Sequence, residues 1–393
     1  MPRIRPFVGL LYDPAVTGPL ERVTTPPYDA IDGTQRNRYL EASPYNVVRL
    51  ILGRDLPGDR AAVNRYTRAG DTLRRWRREG VLVTTAAPAV YPYEFRFRLA
   101  GDERTLRGVI VEVDVEPLGG SIVAHERTLP GPIADRTAVL RAVRANLSPI
   151  YAVFRGPSGD LARFLDDTAS TEPARELVDG SGTRHRLWIS PDGGPLVSGA
   201  LDEQRLMIAD GHHRYAVALA HREQMNHRVG AGPWDRTMML VVDAATQEPP
   251  VLPIHRVLTG PPPTLPHARR VRDLAEVLAS IDDDALLCGL IGPGPDGGVS
   301  HGIVELPGTP PTVNALHQAV LGTDVLARLR FEPDAAIAEQ RVRSGSATAA
   351  YVLPPTRVER IQEVIDRGGR LPQKSTYFWP KPRTGLVMRP FDR

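Results

Sequence analysis

Two adjacent histidines, an arginine and an aspartate occur close together near the middle of the chain, in the segment Asp210-Gly211-His212-His213-Arg214. The guanidinium of Arg214 can hold a phosphate through two parallel hydrogen bonds. The carboxylate of Asp210 can ligate Mg²⁺ or accept a proton. These residue types at this spacing indicate a site for a ligand that carries phosphate.

The flanking sequence predicts how this segment is positioned. Residues 206–209 form a short apolar run that is typical of a buried strand, and Asp210-Gly211 is a turn dipeptide. Residues 215–228 contain no Gly or Pro and favour a helix. The first N–H groups of that helix would face an anion, and Gly211 would let the ligand approach the backbone. An ordinary strand–turn–helix corner has the same pattern, but the four polar side chains favour function.

Two further segments could take part in chemistry. Glu126 lies between His125 and Arg127, and it could deprotonate a hydroxyl group or form a surface ion pair. Lys374-Ser375-Thr376 places a cation beside two hydroxyls, which suits a phosphate but also an exposed strand end. The sequence leaves both pairs of alternatives open.

Several other kinds of site are disfavoured. The histidines His125, His212, His213 and His255 lack the spacing of a structural zinc site. Cys288 is the single cysteine, so neither an internal disulfide nor a cysteine-based metal site is possible. The sequence contains no Gly-x-Ser-x-Gly, no P-loop and no Gly-x-Gly-x-x-Gly opening a helix.

Composition indicates an ordinary globular protein. The 393 residues include 49 basic and 46 acidic side chains, for a net charge of +3, which does not favour binding to nucleic acid. We interpret the arginines of residues 68–78 as the solvated face of a helix. No apolar stretch reaches the length of a signal peptide or of a membrane span. We therefore expect no membrane contact and a cytoplasmic location, while a homodimer stays open.

Local patterns predict a mixed α/β fold. The proline-rich residues 260–266 indicate a boundary between a domain at 1–259 and a C-terminal α/β subdomain at 260–393, whose last segment could return to the site. The individual predictions with the strongest patterns are a strand at 46–52, helices at 61–79 and 313–329, a β-hairpin formed by 90–99 and 107–115, and strands at 150–154, 237–242, 286–291, 302–306 and 349–353.

Six separated motifs resemble those of a known family. They are Pro26-Pro27-Tyr28-Asp29, His125-Glu126-Arg127-Thr128, Asn146-Leu147-Ser148-Pro149-Ile150, Ala209-Asp210-Gly211-His212-His213-Arg214-Tyr215, Leu252-Pro253-Ile254-His255-Arg256 and the closing segment from Lys374 to Lys381. This set, in this order, resembles the domain-of-unknown-function 1015 family. The resemblance covers nearly the whole chain.

The central segment is also similar to the signature of the ParB/sulfiredoxin superfamily, which includes CTP-binding partition proteins and free-serine kinases. This resemblance implies a mixed-sheet core with an N-terminal β-rich part, and it implies that His212, His213 and Arg214 contact nucleotide phosphates. Sulfiredoxin chemistry would need a cysteine where this chain has a histidine. DNA binding of the ParB kind would need a helix-turn-helix, which the sequence does not show.

These observations lead to one functional hypothesis and one alternative. The hypothesis is a phosphotransferase that uses ATP or ADP with Mg²⁺ and acts on a small hydroxyl compound, free serine first. Its catalytic residues would be Glu126 as base, Asp210 as magnesium ligand or helper, and His213. Its nucleotide-binding residues would be Gly211, His212, His213, Arg214, Lys374, Ser375 and Thr376. The alternative is a regulatory protein that binds nucleotide without turnover.

Overall fold

The structure is a computed structural model that describes residues 2–126, 130–261, 266–294, 297–322 and 325–392. Parts of the His125–Thr128 motif, the proline-rich segment and the predicted helix at 313–329 lie outside these residues. The chain divides into two compact units. The first contains the described residues of 1–124, 128–248 and 380–393, and the second those of 125–127 and 249–379. The predicted domain boundary at 259/260 stays a prediction.

The described residues form short strands and helices throughout the chain. The strands are β1 (Ile4–Arg5), β2 (Leu10–Tyr12), β3 (Leu82–Thr84), β4 (Tyr91–Leu99), β5 (Asp102–Asp114), β6 (Ile122–Ala124), β7 (Ala145–Asn146), β8 (Ile150–Phe154), β9 (Arg175–Val178), β10 (Arg184–Leu187), β11 (Leu206–Asp210), β12 (Arg236–Asp243), β13 (Val251–Leu252), β14 (His255–Leu258), β15 (Arg269–Val271), β16 (Leu287–Pro293), β17 (Val299–Glu305), β18 (Leu329–Glu332), β19 (Ala349–Val352), β20 (Tyr377–Phe378) and β21 (Arg389–Pro390). The helices are α1 (Pro14–Thr17), α2 (Gly33–Ala42), α3 (Val48–Ile51), α4 (Arg65–Arg78), α5 (Pro130–Val143), α6 (Gly159–Ala169), α7 (Gly194–Leu201), α8 (His212–Val229), α9 (Leu274–Ser280), α10 (Thr312–Leu316), α11 (Ala335–Arg343) and α12 (Val358–Asp366).

The first unit is built on a mixed sheet. Its described strands are ordered β6-β11-β8-β12-β5-β4-β10-β9, and β1 pairs with β5. Strand β11 runs parallel to β6 and antiparallel to β8, while β8 runs parallel to β12. Apolar side chains such as Val111, Ile208 and Val241 form its buried core. The mixed α/β class is therefore confirmed, whereas the finer ParB/sulfiredoxin assignment stays a prediction.

The hairpin predicted from alternating side chains is present as β4 and β5. These strands pair antiparallel from Tyr91 opposite Ile110 to Leu99 opposite Asp102. The alternation predicts the hairpin because successive side chains point to opposite faces of a strand. Val109, Val111 and Val113 accordingly lie together in the core.

The second unit contains an antiparallel sheet and a short two-stranded pair. The sheet order is β15-β17-β16-β19-β14-β18, and β13 pairs antiparallel with β20. Helices α9 and α11 pack on this sheet through Val277, Ala338 and Val342. The predicted strands at 286–291, 302–306 and 349–353 correspond to β16, β17 and β19.

Two predictions of secondary structure are wrong. The run at 46–52 forms α3 because the Asn46 side chain accepts a hydrogen bond from the amide of Val48, and Val47, Val48, Leu50 and Ile51 are buried at helical spacing. The helix expected at 313–329 ends early, since α10 stops at Leu316 and a π-helical turn spans His317–Leu321. Among the helices that the structure describes, none has both the length and the apolar character needed to cross a bilayer.

Candidate functional site

The central predicted segment forms the corner between β11 and α8. Gly211 has a φ of 95° and a ψ of 26°, in the left-handed region, so glycine is required for the turn. A Cβ atom built at Gly211 would lie 2.9–3.0 Å from the guanidinium of Arg214. Glycine is therefore needed for the turn and for the close approach of this side chain. The predicted strand–turn–helix arrangement is present.

Asp210 lies between two cations at this corner. Its Oδ2 accepts a hydrogen bond from Arg214 Nη2 at 2.5 Å, and its Oδ1 accepts one from Lys381 Nζ. The side chains of Asp210, Arg214 and Lys381 are 11%, 14% and 9% exposed, so this is a buried charge cluster. Burial alone would raise the pKa of Asp210, but the charges of Lys381 and Arg214 outweigh it and hold the pKa below the ordinary range.

Arg214 has further contacts inside the first unit. Its Nη1 donates to Ser148 Oγ at 2.5 Å and to the carbonyl oxygen of Pro149. Its Nε is buried and has no hydrogen-bond partner. Arg214, predicted to be available for a phosphate, is thus engaged by internal acceptors through both terminal nitrogens and retains one unused donor.

A small cavity adjoins this arginine. It has a volume of about 80 Å³, and its wall includes Tyr28, Arg136, Ser148 and Arg214. The Cζ atom of Arg136 lies 4.1 Å from the ring centroid of Tyr28, and burial raises the pKa of Tyr28 to about 12. A cavity of ~150 Å³ is known to admit benzene, so this one is too small for a nucleotide unless side chains move.

His212 and His213 occupy the first turn of α8 and are both half-buried. The charge of His212 contributes to the lowered pKa of Asp210, after the larger contributions of Lys381 and Arg214. The structure therefore groups Asp210, His212 and Arg214 as the sequence predicts, and it adds Lys381.

The remaining predicted residues form a second cluster, in the second unit. Glu126 Oε2 accepts from the amide of Lys374 at 3.1 Å, and Oε1 accepts from the amides of Ser375 and Thr376 at 3.0 and 3.1 Å. Oε1 also accepts from the Thr376 hydroxyl at 2.9 Å. Three successive amides thus converge on one carboxylate, as they do in backbone sites that bind anions. Glu126 occupies the position that a phosphate would take there.

The peptide of Lys374 is held from both sides. Its φ is 54°, which is uncommon for a residue with a side chain. Its amide donates to Glu126, and its carbonyl oxygen accepts from Arg256 Nη1 at 2.9 Å. Arg256 is fully buried and also donates to His317 Nε2 at 3.0 Å. Arg256 therefore fixes the carbonyl side of the turn and Glu126 fixes its amide side.

Two histidines near Arg256 are uncharged. His255 Nδ1 accepts from the amide of Leu353, and His317 Nε2 accepts from Arg256, so each ring has a nitrogen without a proton. Burial and, second, the charge of Arg256 lower the pKa of His255 to about 4 and that of His317 to about 3. His255 is thus a hydrogen-bond acceptor of the core.

The second unit is expected to lose stability when the pH falls from about 6.5 toward 4. In the unfolded chain His255 and His317 take up protons near pH 6.5, while the folded unit resists protonation until the pH nears their lowered pKa values. The free energy of unfolding should fall by up to ~1.4 kcal/mol per pH unit for each histidine. Urea unfolding between pH 7 and 4.5 measures this slope. His317→Gln should flatten it, the exposed His267→Gln should not, and equal slopes in both variants would contradict the assignment.

The corner does not fit a magnesium ion in this conformation. Mg²⁺ needs carboxylate oxygens at close range, and both oxygens of Asp210 are held by cations. Within the described part of the chain, no group of three His, Cys, Asp or Glu side chains could hold a metal ion. Asp210 as a magnesium ligand therefore stays a prediction about another state, and no step below depends on it.

Sequence reasoning missed three residues of these clusters. Ser148, Arg256 and Lys381 all belong to motifs singled out above, but their types alone do not show which acid or carbonyl they reach. Lys381 follows Asp210 by 171 positions, and no periodic pattern connects such distant residues. The signal that could have identified it is the cation-rich closing segment.

Comparison with known proteins places the chain in a family. The profile described as "Protein of unknown function (DUF1015)" matches residues 4–323. The chain is a DUF1015 protein. This confirms the family resemblance, while the closing motif at residues 374–381 lies outside the matched range. None of the curated proteins compared with the DUF1015 chain matches it.

Several solved structures are similar to parts of the DUF1015 protein. A free serine kinase in complex with AMP is 14% identical, with a TM-score of 0.36 over 68% of this chain and 86% of the kinase. A conserved hypothetical protein from Pyrococcus furiosus is 13% identical, with a TM-score of 0.36 over 70% and 92%. Truncated SbnI from Staphylococcus aureus is 12% identical, with a TM-score of 0.37 over 70% and 85%. Likeness at this level carries no argument about activity.

Proposed function

We propose that this protein is a nucleotide-dependent phosphotransferase that acts on a small hydroxyl compound. The observation that supports the proposal is the cluster in which Lys381 and Arg214 share the single carboxylate of Asp210 at the start of α8. A buried cation is costly unless a negative charge compensates it. Here two cations converge on one carboxylate beside the positive end of a helix dipole.

A phosphate group would find further hydrogen-bond donors at this cluster. The N-terminus of α8 supplies N–H donors, and the buried Nε of Arg214 supplies a donor that has no partner. Lys381 and Arg214 would exchange part of their contact with Asp210 for phosphate oxygens. The long, rotatable side chains of both residues make this exchange feasible within the existing backbone.

Such an arrangement suits phosphoryl transfer because that reaction depends mainly on positioning and charge stabilisation. Lys381, Arg214 and His213 would stabilise the charge on the transferred group. The lowered pKa of Asp210 makes it a poor proton acceptor, so its proposed role is to position the two cations. The sequence predicts Glu126, in the second unit, as the base, and free serine is the first acceptor to test because the superfamily resemblance implies it.

Turnover is expected when the protein is incubated with ATP or ADP, Mg²⁺ and serine, and phosphoserine should appear as nucleotide is consumed. Lys381→Met and Arg214→Gln should each lower kcat/KM by ~10²-fold or more, because each removes a cation that stabilises transferred charge. Arg228→Gln, an exposed change at the far end of α8, is the matched control and should not alter the rate. Product detection by phosphorus NMR separates transfer from simple hydrolysis.

Unchanged nucleotide across serine and a panel of other small alcohols would defeat the kinase proposal. Equal losses in Arg228→Gln and Lys381→Met would show that the corner is not the reacting site. Circular dichroism of each variant shows whether a loss of rate reflects unfolding.

A second candidate is a regulatory protein that binds nucleotide without turnover. The candidate is favoured because both carboxylates predicted to react are already hydrogen-bonded. Asp210 is held by cations and Glu126 by backbone amides. Thermal shift separates the candidates. Stabilisation by ATP, ADP or CTP without consumption supports regulation, whereas consumption supports the transferase.

A further inference from the structure

A second basic region of the first unit lies along one face of α4. Arg65, Arg68, Thr72 and Arg75 line an open cavity of about 440 Å³. Their spacing of three, four and three residues places them on one side of a helix. The sequence alone suggested a solvated helix face, whereas the structure shows that these side chains border a concave space.

The lining of this cavity includes two more arginines. Arg49 from α3 and Arg54 from the following loop line it together with Leu40, Gly53 and Leu56. The volume of the cavity falls in the range typical of sites that bind small molecules. The lining is rich in guanidinium groups, the side chains best suited to bind phosphate oxygens through paired hydrogen bonds.

The internal carboxylates near the cavity neutralise only some of these arginines. Arg68 pairs with Asp59 at 2.5 Å, and Arg65 pairs with Asp135 at 2.9 Å and with Asp55 at 3.4 Å. Arg75 reaches Glu79 only at 3.9 Å, in an exposed pair, which contributes little.

Arg49 and Arg54 form no ion pair with any carboxylate in the described residues. Arg49 Nη2 donates to the carbonyl oxygen of Leu40 at 2.7 Å, and its Nε is buried without a partner. Arg54 donates to the neutral side chain of Asn37 at 2.8 Å. Burial lowers the pKa of Arg49, and the charges of Arg54 and Arg75 lower it further. Arg49 and Arg54 thus line the cavity without a carboxylate partner among the described residues.

We propose that this cavity, lined by Arg49, Arg54, Arg65, Arg68 and Arg75 and here called the α4 cavity, binds the diphosphate group of a small molecule. The rise of 1.5 Å per helical residue spreads Arg65 and Arg75 over about 15 Å, which is more than a single phosphate can bridge. The concave shape fits a small molecule better than a nucleic acid. No aromatic side chain on which a base could stack is among its lining residues.

The proposal is tested by calorimetric titration of the full chain with pyrophosphate, ADP, AMP and inorganic phosphate. Pyrophosphate and ADP should bind at least tenfold more tightly than phosphate, because two charged groups contact more of the arginines. Tighter binding of ADP than of pyrophosphate identifies a nucleotide as the source of the diphosphate, and the reverse identifies the free anion. Both results support the site.

Variants of the lining arginines show whether pyrophosphate binds in the α4 cavity. Arg49→Gln and Arg54→Gln should each weaken pyrophosphate binding by about tenfold. Because Arg54 is exposed, its replacement leaves the fold intact. Arg78→Gln removes a charge from an exposed position of α4 outside the cavity and should change affinity less than twofold. The weakening caused by Arg54→Gln should persist in an Arg214→Gln background, which separates this site from the corner at α8.

Four results would overturn the proposal. Three are absence of binding by pyrophosphate and ADP, equal weakening in Arg54→Gln and Arg78→Gln, and binding of a short single-stranded RNA that pyrophosphate cannot displace. Loss of pyrophosphate binding in Arg214→Gln alone would assign the ligand to the α8 corner and would also overturn it.

Discussion

Replacement of Asp210 by alanine is expected to lower the free energy of unfolding of the first unit by about 3–5 kcal/mol. The change leaves Lys381 and Arg214 buried beside each other without their shared carboxylate. The loss is large because removal of one partner exposes the full desolvation cost of the others. Guanidinium unfolding followed by tryptophan fluorescence and circular dichroism measures it.

Three comparisons sharpen this experiment. Asp71→Ala removes an exposed acid of α4 that pairs with Arg74 and should cost less than about 1 kcal/mol. The double variant Asp210→Ala/Lys381→Met should be more stable than Asp210→Ala alone, since it removes one uncompensated cation. Wild-type stability in Asp210→Ala would show that the cations find other partners and that the charge cluster is not as described.

Acid provides an independent readout of the same carboxylate. The pKa of Asp210 is lower in the folded state than in the unfolded chain, so its contribution is complete above about pH 4. This contribution to stability is lost as the pH falls from about 4 toward the pKa that Asp210 has in the folded protein. The stability difference between wild type and Asp210→Ala should therefore shrink in strong acid.

Replacement of Glu126 by alanine is expected to destabilise the Lys374–Thr376 turn by about 2–4 kcal/mol. The change removes the acceptor of three successive amides and one hydroxyl, and the Glu126 side chain is only 13% exposed, so water replaces it poorly. Hydrogen exchange at the amides of Ser375 and Thr376 should quicken strongly. Mass spectrometry of the peptide that covers residues 371–378 measures this directly.

Glu126→Gln separates a structural role from a catalytic one. The side-chain oxygen of glutamine can keep the contacts of one carboxylate oxygen, while its NH₂ group would place a donor against the donor amide of Lys374. Protection of the Ser375 and Thr376 amides from hydrogen exchange should therefore lie between that of the wild type and that of Glu126→Ala. If Glu126 is also the base, Glu126→Gln should lose turnover far beyond its loss of folded protein. Wild-type exchange rates in Glu126→Ala would contradict the structural role, and full activity in Glu126→Gln would contradict the catalytic one.

Elements with strong local patterns could be predicted from the sequence. The hairpin of β4 and β5 and the passage from β11 to α8 follow from side-chain alternation, a turn dipeptide and a long run without Gly or Pro. The helix α3 could not be predicted from the sequence, because a short apolar run fits a strand or a helix equally. There the local hydrogen bond from the Val48 amide to Asn46 decided the outcome.

The kind of chemistry at the candidate site could be predicted from the sequence, but the side chains that pair with one another could not. The types of Asp210, His212 and Arg214 indicated anion chemistry, and the structure places them at the start of a helix as predicted. Their partners depend on tertiary packing: Lys381 neutralises Asp210, and the Lys374–Thr376 turn surrounds Glu126. The sequence suggested that the last segment could return to the site, but it did not show which acid each cation reaches.

The division of the first unit between the two ends of the chain also governs how the protein can be made. Lys381 and Arg389, which neutralise Asp210 and Glu112, are translated only after residues 249–379. At roughly 5–20 residues per second this interval lasts on the order of ten seconds. During it the nascent chain carries Asp210 and Glu112 without these two partners. A ribosome-bound chain arrested before residue 380 should therefore remain sensitive to protease at the sheet of the first unit, and release past residue 390 should confer resistance.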